Sequence, residues 1–176
     1  MAIISANAMI RSLSLFHMTL AAILLRNPQI IANQSIVLVL GQSMQLPTPR
    51  EFLTPSASIA FLGILFALLG LSDLTAVSMS EELSDEYWGI QTPIRLLFLF
   101  ALTAYTYMFK EGGMMAPRSN DYMMSKGNTN LHNSIVFTWG FVEMAAWFWV
   151  FVTLRDERRE KVNKLIEKRK REAENL

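Results

Sequence analysis

"FTWGFVEMAAWFWVFVTLRDERREK", residues 137–161, decides what kind of protein this is. From Phe137 to Leu154 a single side chain, Glu143, is charged, and then every residue from Arg155 to Lys161 is. The apolar run matches the roughly 17–25 residues a helix needs to cross a bilayer. A soluble domain spreads its charges over its surface. Here 52% of the chain is hydrophobic and 18% charged, with much of the charge in the last 22 positions, so an integral membrane protein is expected. At 176 residues one domain suffices: a transmembrane bundle over 1–154 and a charged tail over 155–176. The net charge of +1 averages dissimilar regions and identifies no partner.

Working back along the chain, four spans are expected, at about 9–25, 56–77, 92–109 and 133–154. The first is apolar except for Arg11 and His17, and with no good small-residue cleavage site after it, it reads as an uncleaved span. Pro28 then resists helix continuation. Residues 29–45 are moderately apolar but carry Asn33, Gln34, Ser35 and Gly41, which fits an extra helix packed on the bundle or lying at the interface. "LPTPREFLTPS" (46–56) reads as an extended loop. "SEELSDEYWG" (80–89) reads as a short acidic loop closed by an interfacial Tyr87–Trp88 pair, with Thr92 capping the third span and Pro93 at its first position. Residues 110–132 read as a flexible loop. The fold class is therefore all-α, with a helical extension after the fourth span.

Four spans place both termini on one side. Arg11 and the nine Lys/Arg of the tail lie there, against Arg26, Arg50, Lys110, Arg118 and Lys126 on the other, so cytoplasmic termini are expected. Asn33-Gln34-Ser35 is a glycosylation sequon on the lumenal side in this topology, although its nearness to the membrane and its place in a helix weigh against use.

Asp73, Arg95 and Glu143 fall within spans, as does His17. Each charged group costs roughly 2.5–3.5 kcal/mol at a helix centre, so each needs something to offset it. Asp73 and Arg95 flank the 78–89 turn at similar depth and are expected to form a bidentate pair; snorkelling of Arg95 and an ion or lipid site are the alternatives. Glu143 has no charge at its depth on the second or third span. Trp139, Gly140, Ala146 and Trp147 are its neighbours at helical spacing. An uncharged Glu143 clasping helices together is expected, with His17, Thr103, Tyr105 and Thr106 as candidate partners. A proton or cation relay with His17 and contact with a partner protein are the competing readings. Ala60, Gly63, Ala67 and Gly70 form a small-residue stripe suited to close packing within the chain, or to dimerisation.

The tail holds Glu157–Lys161, Glu160–Lys164 and Glu167–Arg171 at helical spacing and reads as a solvated anchor. Contact of Lys168–Arg171 with anionic lipid or nucleic acid would be unspecific, and nucleic acid is not an expected partner. The Met114–Met115 and Met123–Met124 pairs read as interfacial packing rather than metal ligands. With no cysteine and only His17 and His132, a metal centre is not expected. No phosphate loop, nucleophile elbow or HExxH occurs, so neither catalysis nor a cofactor is expected.

"VLGQSMQLPTP", "TPIRLLFLFALTAYTYMF" and "HNSIVFTWGFVEM" followed by "LRDER", in this order and spacing, resemble the fungal "increased loss of mitochondrial DNA protein 1" family. The resemblance runs from the first span to the start of the tail. It implies a multi-pass endoplasmic reticulum membrane protein whose loss costs the cell its mitochondrial genome, with no catalytic residues to carry over. The function expected is that of a non-enzymatic accessory or assembly factor. Its partners would be the lipid bilayer and a client membrane protein, and its effect on mitochondrial DNA indirect. A small proton or cation transporter and a lipid-handling subunit are the alternatives.

Overall fold

Three of the long helices start on small polar caps. The computed structural model describes residues 4–110, 114–115 and 131–174. Helix α1, Ala6–Arg26, begins where the Ser5 hydroxyl accepts from the Ala8 amide at 3.3 Å, and α4, Ala57–Val77, begins on the same bond from Ile59 to Ser56. The last helix, α6, spans Ser134–Glu174 and is capped by the Asn133 side chain, which accepts from the Val136 amide. Between α1 and α4 the chain forms α2, Gln29–Ala32, α3, Ser35–Ser43, and a short 3₁₀ turn, Arg50–Leu53. The extra helix at 29–45 is therefore two pieces, broken at Asn33–Gln34.

The 80–89 stretch corrects the sequence reading. It is helical, and α5 runs Glu81–Met108. Glu81 and Glu82 sit in its first turn, where carboxylates complement the helix dipole. Thr92 is therefore buried mid-helix rather than a cap, and Pro93 lies inside the helix. Arg95 sits well beyond the first turn and has no end dipole to oppose.

Three helices, α1, α4 and the apolar part of α6, are long and apolar enough to cross a membrane. Helix α5 is not among them, in contrast to the four expected: Gln91, Arg95 and its Thr and Tyr residues dilute its apolar half. Among the described residues the protein is all-helical.

Helices α1, α4, α5 and α6 alternate in direction. Helix α1 packs mainly on α4, and α5 on α6. At one end the Ala6 amide donates to Glu157 Oε1 at 3.0 Å, bringing the start of α1 beside the charged part of α6. At the other, α3 packs on the start of α6, and Ser134 N donates to Pro47 O, just beyond α3, at 2.9 Å. Ile10, Val77, Trp88, Leu99, Trp147 and Val150 form the core between the helices. The outward faces are apolar: Phe61, Leu68, Leu97, Phe98 and Trp149 are each more than 60% exposed. Water would penalise so much continuous apolar surface, whereas acyl chains would not.

Candidate functional site: a polar chain across four helices

The side chains too polar for lipid are gathered inside the bundle. On α4, Asp73 is 1% exposed, and both of its oxygens accept from Arg95 of α5, Oδ1 from Nη2 at 2.6 Å and Oδ2 from Nη1 at 2.7 Å. This fork-to-fork geometry is the strongest arrangement available to a carboxylate and a guanidinium. The Arg95 guanidinium carbon also lies 4.6 Å from the ring centre of Trp147 and 5.3 Å from that of Trp88. The two indoles stack with centroids 5.4 Å apart. A desolvated cation over such faces gains about 2 kcal/mol.

The second cluster is built on Glu143 of α6, 2% exposed. Its Oε1 lies 2.7 Å from Nε2 of His17 on α1, and its Oε2 accepts from the Trp147 indole N–H at 3.0 Å. One proton must lie between Oε1 and Nε2, whichever atom owns it. His17 is fully buried and packs beside Phe66 of α4, which meets Trp139 edge-on.

Trp147 joins the two clusters. Its N–H serves Glu143 and its face serves Arg95. The result is one chain of contacts, His17–Glu143–Trp147–Arg95–Asp73, touching α1, α6, α5 and α4 in turn. His17, Glu143, Arg95 and Asp73, each costly in acyl chains, all have a partner from another helix.

The other residues proposed as partners of Glu143 make contacts elsewhere. Thr106 donates to the Thr103 carbonyl at 2.9 Å, and the Tyr105 ring packs with Phe109 and His132. Thr103 instead faces Gly140, where an added Cβ would come within 2.8 Å of its hydroxyl. Trp88, expected beside Tyr87 at the interface, is fully buried, while Tyr87 is 39% exposed. The missed signal is the i, i+4, i+8 spacing of Ser84, Trp88 and Thr92, which share the buried face of α5 but include only one apolar side chain.

The small-residue stripe faces α1. A Cβ on Gly70 would lie 2.8 Å from the Ser14 carbonyl oxygen, and one on Gly63 would lie 3.1–3.3 Å from Leu25, Ala21 and Leu24. Ala60 and Ala67 are half-buried. Asn33, the sequon residue, is exposed at the end of α2. Met114 and Met115 are exposed; Met123, Met124, Arg118 and Lys126 lie outside the described residues.

Beyond Leu154 the tail contacts the acidic start of α5. Lys161 pairs with Glu81 at 2.6 Å and with Asp85, and Arg158 donates to the Asp85 carbonyl. The hydrogen bonds to Asp85 and Glu81 hold the Lys161 ammonium above its usual range. Sequence spacing does not join these two segments, because the contact runs between two helices and not along one.

Two curated proteins are similar over most of this chain. "Protein ilm1" of Schizosaccharomyces pombe is 28% identical over 174 residues, covering 93% of this chain and 96% of its own. "Protein ILM1" of Saccharomyces cerevisiae is 29% identical over 152 residues, covering 85% of this chain and 64% of its own, so this chain spans about two thirds of that relative. No solved structure matches. The family described as "Increased loss of mitochondrial DNA protein 1" matches residues 4–164, and to that family this chain belongs.

Proposed function

We propose that this protein is a non-enzymatic accessory or assembly factor for other membrane proteins, resident in the endoplasmic reticulum membrane, with an indirect effect on mitochondrial DNA. The carrying observation is how the ionisable groups within the bundle are used. Asp73, Arg95, Glu143 and His17 are engaged with one another and with Trp147, and the faces left outward are apolar. Chemistry spent on holding helices together leaves lateral packing as the work of the outer surface. In this reading the apolar half of α5 is a fourth crossing, supported by its packing along α6 and by the exposure of Leu97, Phe98 and Phe100. Both termini face the cytoplasm, supported by the excess of Lys and Arg in the tail. Asn33 then faces the lumen, exposed but close to the membrane.

Affinity purification of the full chain from native membranes in mild detergent tests the proposal. A membrane protein retained in stoichiometric amount is the expected result, and Glu143→Gln should retain it too, because the amide still accepts from Trp147 and still hydrogen-bonds His17. Recovery of the chain alone from several mild detergents would overturn the reading. The direct His17–Glu143 contact favours one competing reading, proton or cation transport by way of His17, Glu143 and Asp73. That reading requires flux through protein-loaded liposomes that Glu143→Gln abolishes.

A further inference from the structure

We propose that the outer seam between α5 and α6 is a binding crevice for one anionic glycerophospholipid, with its phosphate held by Arg155 and Arg159 and an acyl chain lying below. Two grooves follow this seam. The upper one, of about 480 Å³, has Trp88 and Leu154 as its floor and Arg155, Arg158 and Arg159 at its mouth. The lower one, of about 530 Å³, is walled by Pro93, Leu97 and Phe100 of α5 and by Met144, Ala145 and Phe148 of α6. Phe151 lines both, so they form one furrow. Each volume lies within the range of roughly 300–1,000 Å³ usual for sites that hold small molecules.

The furrow follows from sequence spacing. On α6, Met144, Phe148, Phe151, Arg155, Arg159 and Val162 recur at steps of three and four, which puts them on one helical face. That face is apolar up to Phe151 and cationic at Arg155 and Arg159, with Val162 beyond them. On α5, Gly89, Pro93, Leu97 and Phe100 recur in the same way along the opposite wall. Gly89 has no side chain, so the Arg158 guanidinium can lie across its backbone at the edge of the furrow.

Charge and length select the occupant. Arg158 is engaged by the Asp85 carbonyl, whereas Arg155 and Arg159 have no acidic partner among the described residues. Both are exposed, at the depth where α6 passes from apolar to charged, which is where a leaflet's phosphates lie. Eleven residues separate Arg155 from Met144. At about 1.5 Å per residue that is about 16 Å, close to half of a hydrocarbon core about 30 Å thick. A lipid anchored by its phosphate at Arg155 would therefore run its chain to the foot of the furrow within its own leaflet. The inference does not rest on the client reading, since a bundle without a client can still hold this lipid.

Native mass spectrometry of the full chain in detergent, titrated with phosphatidylserine, phosphatidate and phosphatidylcholine of identical chains, tests the site. One anionic lipid should be retained about tenfold or more over phosphatidylcholine. Arg155→Ala with Arg159→Ala should bring that ratio near one. Ala145→Trp, which fills the lower furrow at an exposed position and changes no charge, should lower retention of all three lipids several-fold. Lys168→Ala with Lys170→Ala removes the same charge from the distal tail and should leave the ratio unchanged. An equal loss in that tail variant would show diffuse attraction instead of a site. Unchanged retention in Ala145→Trp, or displacement of the lipid by soluble glycerol phosphate at matched concentration, would also overturn the proposal.

Discussion

The α1/α4 seam and the α5/α6 seam hold the same kind of helix by opposite means. Along α1/α4 the backbones approach until Gly70 leaves no room for a methyl group, since a Cβ there would press on the Ser14 carbonyl and Met18. Along α5/α6 the contact is large and aromatic, with Trp88 stacked on Trp147 and Arg95 lying over both. The first seam gains from dispersion between close surfaces, the second from large rings and a satisfied cation. In lipid the hydrophobic effect does not press helices together, so a bundle needs shape or polar satisfaction, and this one has a seam of each. The polar chain joins them, because Asp73 reaches from the glycine-bearing helix to Arg95, and His17 reaches Glu143.

The difference predicts unequal tolerance, and the largest effect belongs to the charged link. Asp73→Ala leaves Arg95 beside two indoles without its carboxylate, and removing one partner of a buried pair costs about 3–5 kcal/mol. Thermal unfolding in detergent, followed by tryptophan fluorescence, should show a marked drop. Asp73→Leu combined with Arg95→Met should recover most of it, because no unpaired charge remains. A single Asp73→Ala variant as stable as the parent would remove the charged link from the account.

Next comes shape. Gly70→Val forces branched carbons against the Ser14 carbonyl and should cost about 1–3 kcal/mol, as overpacking does. Gly63→Ala meets contacts of 3.1–3.3 Å, mostly with leucine side chains that can shift, and should cost less. The same unfolding measurement ranks them. Equal effects would mean that α1 and α4 separate freely, so that the closeness at Gly70 carries no stability.

What is legible in the sequence divides along the same physical lines. Membrane helices announce themselves because lipid excludes charge, so α1, α4 and the apolar part of α6 stand out by composition alone. The costly residues stand out for the same reason: Asp73, Arg95 and Glu143 are conspicuous because their surroundings are apolar. Counting residues from the 78–89 turn puts Asp73 and Arg95 at one depth, and in the structure they meet. The 80–89 segment was illegible because proline at 93 read as a start signal, whereas a helix can carry proline internally when other contacts offset the lost hydrogen bond. With that boundary misplaced, Trp88 went to the interface and its role beside Arg95 disappeared. The division of labour at Trp147, N–H to one cluster and ring face to the other, depends on side-chain direction, which spacing does not encode. Helix α5 marks a further limit: its polar groups make it the least membrane-like long helix by composition, although several of them point inward.

The smallest effect lies beyond the membrane, where the tail meets the start of α5. Hydrogen bonds that Lys161 donates to Asp85 and Glu81 hold its ammonium pKa above the usual lysine range. A raised value means that the folded protein holds this proton more tightly than the unfolded chain does. The contribution is therefore fully present below the unfolded value and is lost as pH rises through the folded one, so neutral pH retains it all. Lys161 is largely exposed, and salt and water screen it, so Lys161→Met should cost no more than about 1 kcal/mol near neutral pH. The loss should shrink further in high salt. Unfolding of parent and variant should converge in strongly alkaline buffer, where Lys161 is deprotonated in both states. Asp73→Ala should show no comparable salt dependence, because its pair is buried at the carboxylate. A Lys161→Met loss that persisted unchanged in high salt would mean that the tail is held to α5 by packing, and the contrast between a screened contact outside the bilayer and an unscreened one inside it would fail.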